Sequence, residues 1–464
     1  MAQSSMLDLM RSFSSGMMIH KVPSYANRFF YSFGFLLLTC FVVLALTGIV
    51  MLFFGQQWWQ TDPLGILMRS VHLWAAEAFA FILVLHAFVA FSTSAFRSTR
   101  RLVWMLGSLL LFISLIQAEF GFGLRGDFSS QWRSLQGADF WNGAGLGWFV
   151  NPLNSPQVLG LHSVIIPFAM IALIFVHFSL VKKLGIAKPY RKDIEFEMVD
   201  ANHRILFVRG FALVAAIAVL AVLFPSPLEA PVTIQGIAQS NPAAIALTFA
   251  SEFNHTSGTA TYMDNIDPYI FDTRQVFVAS PYVQYLKVYP GNNLLAAFNS
   301  ETQSRQLDNI AQAQLYFAGN GSINLSANPN PLIPLFSSLT VMAQSGLYEA
   351  SLNNALPGGD QTYALRFLSD TGYLGIKAES LGISLEQYGM IKDERGWLPP
   401  NSWWLAPLAV MDNTILAGSQ NQDRIGALIL GLSMFLFILF PFIPWLNEIP
   451  DKLGLYRIFW KVKR

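Results

Sequence analysis

Cysteine is almost absent from this chain, because its 464 residues contain only Cys40, which lies inside an apolar run. A covalently attached c-type haem needs a Cys-x-x-Cys-His motif, which a single cysteine cannot supply. Cysteine-ligated zinc sites and iron–sulfur clusters need several thiolates and are excluded by the same count. Any redox chemistry of this chain must therefore use other ligands.

Charged residues are also scarce. They make up 12% of the chain against 53% hydrophobic residues, and the mean hydropathy is +0.43. An ordinary globular protein carries about 25% charged residues, so the composition predicts an integral membrane protein. The net charge of +1 comes without any basic domain, so a nucleic-acid-binding role is not expected.

Six apolar runs are long enough to cross a bilayer as helices, which takes about 20 residues each. Basic residues gather before the first run, between the second and third, after the fourth and after the sixth. Cytoplasmic loops retain lysine and arginine, so these segments and both termini are expected on the cytoplasmic side. The predicted spans are 30–54, 70–93, 102–121, 158–181, 205–225 and 426–446.

The long segment 226–425, between the fifth and sixth spans, is rich in Asn, Ser, Gly, Gln and Pro. Its alternating piece QVFVASPYVQYLKVY (275–289) predicts strands, and ETQSRQLDNIAQAQLYF (301–317) predicts an amphipathic helix. The segment is long enough to bury a core of its own. We therefore expect an inserted mixed α/β extracytoplasmic domain in an otherwise all-α transmembrane protein.

Four of the seven histidines lie deep inside predicted spans: His72 and His86 in the second, His162 and His177 in the fourth. The 14-residue spacing of the first pair places both rings on one helix face, about 21 Å apart. The 15-residue spacing of the second pair gives about 22 Å with a modest rotation. Because the two spans run in the same direction, His72 matches His162 in depth near the extracytoplasmic side, and His86 matches His177 near the cytoplasmic side.

A lone histidine in an apolar helix is more often a hydrogen-bonded core residue than a metal ligand. Matched pairs on two spans favour ligation, because an ionisable residue inside a membrane costs roughly 2 kcal/mol or more unless it is used. Neutral imidazole is a suitable axial ligand for haem iron, so the histidines predict two non-covalent b-type haems. Glycines repeat the 14-residue period and would let neighbouring backbones approach a porphyrin: Gly34 and Gly48 in the first span, Gly107 and Gly121 in the third.

With these residues the chain resembles the cytochrome b/b6 family of quinol-oxidising bc1 and b6f complexes, and most closely its b6 branch. The resemblance rests on YSFGFLLLTCFVVLALTG, SVHLW with the following LHAF, FRSTRRLVWMLG, and LGLHSVIIPF through VHFSLVKKLGIAKP, and it covers roughly 22–190. It implies a four-helix dihaem bundle, an electron path across the membrane and a quinone site near each haem. The C-terminal part diverges, because the Pro-Glu-Trp-Tyr signature expected after the fifth span is absent.

At several positions where the family has a residue that contacts haem, this chain has a different residue. The b6 cysteine that attaches an extra haem corresponds to Ser32, so no third haem is expected there. In b6 an arginine follows each of two haem ligands, but the matching positions in this chain are Leu73 and Val89. Contacts to the haem propionates must therefore come from other residues. The candidates for these contacts are Arg97, Arg100, Arg101 and Arg125.

Three further residues are candidates for quinone or proton chemistry, each with a plainer alternative. Glu77 is rotated about 140° from the ligand face, and it either relays protons near the extracytoplasmic quinone site or is satisfied by a neighbouring helix or subunit. Glu119, at the extracytoplasmic end of the third span, either accepts a proton from quinol or simply reaches water. His20 either lines the cytoplasmic quinone pocket or anchors the chain at the membrane interface.

The sequence therefore predicts the dihaem cytochrome b subunit of a quinol-oxidising bc1/b6f-like complex in the plasma membrane. Its partners would be membrane lipid, quinone, a separate Rieske iron–sulfur protein and a separate c-type cytochrome, in a homodimer or larger complex. In the alternative, the same two haems pass electrons from an extracytoplasmic dehydrogenase to the quinone pool. A transporter or scaffold with core histidines is a third, non-redox reading.

The expected organisation has six parts, and the resemblance gives the boundaries of the bundle. The N-terminal and C-terminal parts are expected to face the cytoplasm. The parts are an interfacial segment 1–28, a dihaem four-helix bundle 29–192, a linker with the fifth helix 193–225, the extracytoplasmic domain 226–425, the sixth helix 426–446 and a basic tail 447–464.

Overall fold

A computed structural model describes most of the chain, and in the described residues six helices are long and apolar enough to cross a membrane. Their number confirms the six predicted spans, and the chain is a multi-pass membrane protein. The expected N-terminal segment and basic tail lie partly outside the described residues. The described ranges are 20–189, 196–263, 271–319, 329–356, 359–384, 402–419 and 421–460. The six spans are Phe29–Phe54, Pro63–Ser92, Ser98–Gly123, Ser155–Leu184, His203–Leu223 and Gln422–Phe442.

The chain divides into two compact units, which we call the membrane unit and the second unit. The membrane unit consists of Met1–Ala118, His162–Ser226 and Leu430–Arg464. The second unit consists of Glu119–Leu161 and Pro227–Ile429. The second unit therefore combines the segment after the third span with most of the segment between the fifth and sixth spans.

In the membrane unit the first and second spans pack along each other, and the fifth span packs against both. The second span begins at Asp62, whose carboxylate accepts the backbone N–H groups of Leu64 and Gly65, with Pro63 in the first turn. An acceptor at this position and a proline directly after it both favour the start of a helix. The first span ends at Gly55, whose φ of 81° suits glycine.

The fifth span approaches the first closely at Gly210. A Cβ atom added to Gly210 would lie 3.0 Å from Phe35 Cε1, so a larger residue would fit only if the Phe35 ring moved. Nearby, the Arg209 guanidinium donates a hydrogen bond to the hydroxyl of the fully buried Ser32. Ser32 is thus part of a contact between the first and fifth spans.

Two short strands, Lys21–Pro23 and Met198–Asp200, pair in antiparallel register. An exposed ion pair between Lys21 Nζ and Asp200 Oδ1, 2.8 Å apart, closes one end of the pair. The strands tie the chain that precedes the first span to the chain that precedes the fifth span.

In the described residues of the second unit the regular secondary structure is helical, apart from one isolated bridge between Asn154 and Asp360. Its core is built from fully buried rings that belong to several helices, including Phe249, Phe336 and Phe367. Burying each such ring contributes about 1.5–3 kcal/mol. The helices are Phe128–Gly143, Ser155–Gly160, Ile234–Ser240, Pro242–Phe253, Gly258–Met263, Ser280–Val288, Leu294–Asn299, Gln303–Phe317, Leu332–Gln344, Leu347–Ala355, Thr362–Asp370, Tyr373–Leu381 and Ala406–Asn413.

The strands predicted over 275–289 are wrong. A π-helical turn, Arg274–Ala279, leads into the helix Ser280–Val288. The buried residues Phe277, Val278 and Tyr282 recur at helical spacing, so burial on one helix face outweighs the strand preference of an alternating apolar run. The helix predicted over 301–317 is confirmed as Gln303–Phe317. The described part of the inserted segment is therefore helical and not mixed α/β.

Candidate functional site

His72 and His162 face each other in the membrane unit. Their ring centroids lie 6.3 Å apart and their planes are inclined by 64°. A bond between a metal and an imidazole nitrogen is about 2.0–2.1 Å long, and the distance from each nitrogen to its ring centre adds to it. The separation of the two rings therefore fits a single metal atom ligated by one histidine from each side.

Thr47 of the first span orients the His72 ring. Its Oγ1 lies 2.9 Å from His72 Nδ1 and donates its own hydrogen to the carbonyl of Val43 at 2.7 Å. With the hydroxyl hydrogen on the Val43 carbonyl, Nδ1 donates to Thr47 and Nε2 keeps a free lone pair. That is the tautomer in which Nε2 can bind a metal.

Gln117 of the third span fixes His162. The Gln117 carbonyl lies 2.9 Å from His162 Nδ1 and accepts its hydrogen, so Nε2 again keeps the lone pair. In addition, Gln117 Nε2 donates a 2.6 Å hydrogen bond to the main-chain carbonyl of His162. His162 itself lies in the π-helical turn Leu161–Ile165, which joins Ser155–Gly160 to Ile166–Leu184. Such single turns within α-helices often occur at functional sites.

Two of the predicted glycines lie against histidines of the second span. A Cβ atom added to Gly34 would lie 3.7 Å from His86 Cε1, and one added to Gly48 would lie 3.4 Å from His72 Cε1. The two glycines and the two histidines share the same 14-residue spacing on antiparallel neighbours. The first span thus presents bare backbone to both rings.

The third span repeats this arrangement at His177. A Cβ atom added to Gly107 would lie 3.2 Å from His177 Cε1, and the main chain of Val103 lies beside the same ring. The His86 ring lies close enough to the His177 ring for the two to interact electrostatically. Gly121 lies near the end of the third span, in the helix Arg101–Gly123.

The four arginines that are candidate propionate contacts have protein partners. Arg97 forms an ion pair with Asp451 at 2.8 Å, and Arg100 donates to the carbonyl of Gly185 at 2.8 Å. The Arg101 guanidinium lies 5.2 Å from the centre of the Phe442 ring. Arg125 belongs to the second unit and forms a buried ion pair with Asp127 at 2.8 Å, while its guanidinium also donates to the carbonyl of Pro227.

Glu119 lies in the second unit, in a cluster that the sequence did not indicate. Its Oε1 accepts a 2.7 Å hydrogen bond from the Trp404 indole nitrogen, and its Oε2 lies 3.4 Å from Arg133 Nη1. Arg133 also donates to Ser402 Oγ at 2.7 Å. The Glu119 side chain keeps 29% of its surface exposed, so the carboxylate is held firmly and still reaches solvent.

The other two candidates for proton chemistry lie in the membrane unit. Glu77 is half-buried within the second span. His20 is exposed, its carbonyl accepts the N–H of Ala201 at 2.8 Å, and its ring packs edge-to-face on His203 with centroids 6.2 Å apart. His20 thus lies at the end of the short strand pair.

A buried carboxylate pair is a second feature of the second unit that the sequence did not indicate. Glu252 is fully buried and accepts a 2.7 Å hydrogen bond from Ser257 Oγ. Burial, and then the nearby Asp370 carboxylate, raise the pKa of Glu252 far above its usual range. Across the described ranges, no group of three or more His, Cys, Asp or Glu side chains is arranged to hold a free metal ion.

Comparisons with known proteins find similarity to cytochromes b. Residues 77–243 match a family model described as "Cytochrome b(N-terminal)/b6/petB". Cytochrome b6 of Heliomicrobium gestii is 29% identical in an alignment of 195 residues, which covers 37% of this chain and 90% of that protein. Cytochrome b6 of Synechocystis sp. is 27% identical in an alignment of 190 residues, which covers 36% of this chain and 85% of that protein.

Two further proteins are similar to this chain. The "Cytochrome bc complex cytochrome b subunit" of Chlorobaculum thiosulfatiphilum is 31% identical in an alignment of 244 residues, which covers 44% of this chain and 55% of that protein. A solved structure titled "Hyperthermophilic respiratory Complex III" covers 80% of this chain and 98% of its own, at 17% identity and a TM-score of 0.40.

Proposed function

We propose that this chain, a member of the b6-like cytochrome b family, is the dihaem cytochrome b subunit of a quinol-oxidising bc-type complex. His72 and His162 would hold one b-type haem, and His86 and His177 would hold the other. The observation that carries the proposal is the opposed His72–His162 pair, with ring centroids 6.3 Å apart. A bound haem would supply a carrier for one electron at each site.

The residues around the histidines fit this role. Thr47 and Gln117 hold Nδ1 of their histidines as a donor, so that Nε2 of each ring is available as a ligand. On the first span, Gly34 and Gly48 lie so near the rings that a Cβ atom added to either would already be in van der Waals contact with His86 or His72. Hydrogen bonds on the far nitrogen of an axial histidine also adjust the reduction potential of the haem.

Quinol oxidation releases protons, and Glu119 is our candidate to accept one. The Trp404 indole and the Arg133 guanidinium fix its carboxylate, while its partial exposure opens a route to solvent. A positioned carboxylate that can exchange protons with water is suited to general-base chemistry. Glu77 and His20 remain candidates for proton transfer elsewhere along the path, and Arg97, Arg100, Arg101 and Arg125 remain candidates for propionate contacts.

The family and its named relatives support a multisubunit setting. We propose a Rieske iron–sulfur protein and a c-type cytochrome as separate subunits, in a homodimer or larger complex in the plasma membrane. Both termini would be cytoplasmic, and residues 226–425 would be extracytoplasmic, because basic residues flank the spans on the opposite side.

A second function is favoured by the missing Pro-Glu-Trp-Tyr signature and by the large inserted segment after the fifth span. In this second function, a dehydrogenase docks on the inserted segment and electrons flow through the haems to quinone. The two functions differ in their partners, so purification of the intact complex separates them. A Rieske protein that copurifies supports the first function, and a dehydrogenase without a Rieske protein supports the second.

A redox difference spectrum of the purified complex, together with its haem content, tests the haem assignment. We expect two b-type haems per chain. The variants His72→Ala and His162→Ala should lose the same haem, and His86→Ala and His177→Ala should lose the other. His203→Ala is the matched control and should keep both, because His203 lies outside the two pairs. Two haems retained in all four ligand variants would contradict the assignment.

A further inference from the structure

Gln117 contacts His162 through both its main chain and its side chain. The main-chain carbonyl of Gln117 accepts the Nδ1 hydrogen of the ring at 2.9 Å. The side-chain amide donates to the carbonyl of His162 at 2.6 Å. The first contact fixes the ring, and the second fixes the backbone to which the ring is attached.

The π-helical turn explains why the second contact matters. In the turn Leu161–Ile165 the backbone departs from regular α-helical hydrogen bonding. A carbonyl in apolar surroundings that lacks a good partner costs several kcal/mol, and a side chain can supply that partner from a neighbouring helix. The Gln117 amide does this for His162, so one residue stabilises both the unusual turn and the direction of the imidazole.

We propose that Gln117 is a positioning residue for the haem held by His72 and His162, and that it sets the orientation of His162 and thereby the reduction potential of that haem. The proposal rests on the function proposed above, in which His162 is an axial ligand. A well-aligned hydrogen bond on Nδ1 makes the ring a stronger electron donor through Nε2, which favours the oxidised haem. Without the amide the backbone of His162 loosens, the bond to Nδ1 loses its alignment, and the potential of this haem rises.

The experiment uses the intact complex with Gln117→Leu, and with Gln117→Met as a second apolar variant of closer length. A redox titration followed by visible and electron paramagnetic resonance spectra reports each haem separately. We expect a higher midpoint potential and a broadened spectrum for the His72–His162 haem, with the His86–His177 haem unchanged. Ser114→Ala is the matched control in the same span, because Ser114 Oγ bonds only within its own helix in the described contacts, and it should alter neither haem.

Hydrogen exchange across 158–166 gives a readout that does not depend on haem. We expect faster exchange in the Gln117 variants than in the Ser114→Ala protein, even if a variant loses haem. An unchanged potential, spectrum and exchange rate in both Gln117 variants would overturn the proposal. If His162→Ala removes one haem and the Gln117 variants change nothing, only the role of Gln117 fails. If His162→Ala removes no haem, the proposed function itself fails.

Discussion

The indole nitrogen of Trp404 donates a 2.7 Å hydrogen bond to Oε1 of Glu119, joining two residues that lie 285 positions apart in the chain. The same carboxylate faces Arg133, whose guanidinium lies 4.3 Å from the centre of the Phe122 ring. Residues on two distant segments of the second unit thus hold one carboxylate in a single direction.

Replacing the indole of Trp404 should leave the Glu119 carboxylate in place but hold it less firmly, so that it accepts protons less well. In Trp404→Phe, Glu119 loses a hydrogen bond to a charged group, which contributes about 1.5–3 kcal/mol. We expect the rate of quinol oxidation by the complex to fall, with a shifted pH profile, and Glu119→Gln to lower the rate further. Trp403→Phe, which changes the neighbouring indole, should leave the rate unchanged. Equal rates in Trp404→Phe, Glu119→Gln and the unmodified complex would show that Glu119 takes no part in quinol oxidation.

The two glycines near the His86–His177 pair should differ in their tolerance of a methyl group. An alanine Cβ at Gly107 would lie 3.2 Å from His177 Cε1, which is too close without a shift of the ring, whereas at Gly34 it would lie 3.7 Å from His86 Cε1, an ordinary contact. We expect Gly107→Ala to reduce occupancy of that haem, and Gly34→Ala to change it little. Haem content and reduced-minus-oxidised spectra measure the difference. Gly431→Ala, where nothing lies within 4 Å, is the control.

The Arg97–Asp451 ion pair should stabilise the membrane unit. Both side chains are only 18% exposed, and Ser94 Oγ donates a second bond to the Asp451 carboxylate at 3.0 Å. We expect Arg97→Ala to lower the free energy of unfolding by about 1–3 kcal/mol, seen as a lower melting temperature in detergent. The exposed pair of Lys452 with Glu448 is the matched control, and Lys452→Ala should cost about 0.5 kcal/mol or less.

Arg97→Ala also tests the predicted propionate contact. A structural role alone leaves both haem potentials unchanged, while loss of a propionate contact moves the potential of one haem. Redox titration of the same variant therefore separates the two roles.

The buried Glu252 should make the second unit less stable as the pH rises. Burial and then Asp370 raise the pKa of Glu252 in the folded protein, while an unfolded glutamate titrates near pKa 4.3. Between these values the folded state binds more protons than the unfolded state, so the free energy of unfolding decreases as pH increases. The loss begins at about pH 4.3 and ends once Glu252 ionises in the folded state.

Hydrogen exchange of the helix Pro242–Phe253 measures this effect in the full chain. The protection of the helix, corrected for the intrinsic exchange rate, should fall with rising pH in the unmodified protein. It should be much less dependent on pH in Glu252→Gln, because an amide does not ionise. Glu379→Gln, at an exposed position, should behave like the unmodified protein. Equal pH dependence in all three proteins would show that the Glu252 carboxyl is not the cause.

The parts of the structure that follow from repetition along the chain were predictable. Apolar runs of sufficient length indicate spans wherever they occur, and the period shared by His72, His86, Gly34 and Gly48 indicates which faces meet. These patterns are local, and the geometry of a helix alone gives the face and the height at which each residue lies. The six spans are therefore confirmed, while the haem ligands remain a prediction supported by the geometry.

The contacts that arise only from tertiary packing were not predictable. Trp404 gives no sign in the sequence that it will meet Glu119, and the alternating residues around Phe277 look like a strand until burial on a helix face decides otherwise. Gln117 is an intermediate case, because an amide inside an apolar span is a visible signal, although its partner is not. Single sequences carry the periodicity of an element, but they do not carry the identity of its distant neighbours.

The π-helical turn at His162 also changes the meaning of the unequal ligand spacings. A π-helical turn takes in one more residue than an α-helical turn with little added length along the axis. His162 lies in such a turn, Leu161–Ile165, so the helix can take up the extra residue between His162 and His177 without a matching gain in length. The unequal spacings of the two histidine pairs are therefore compatible with equal separations of their rings along the two spans.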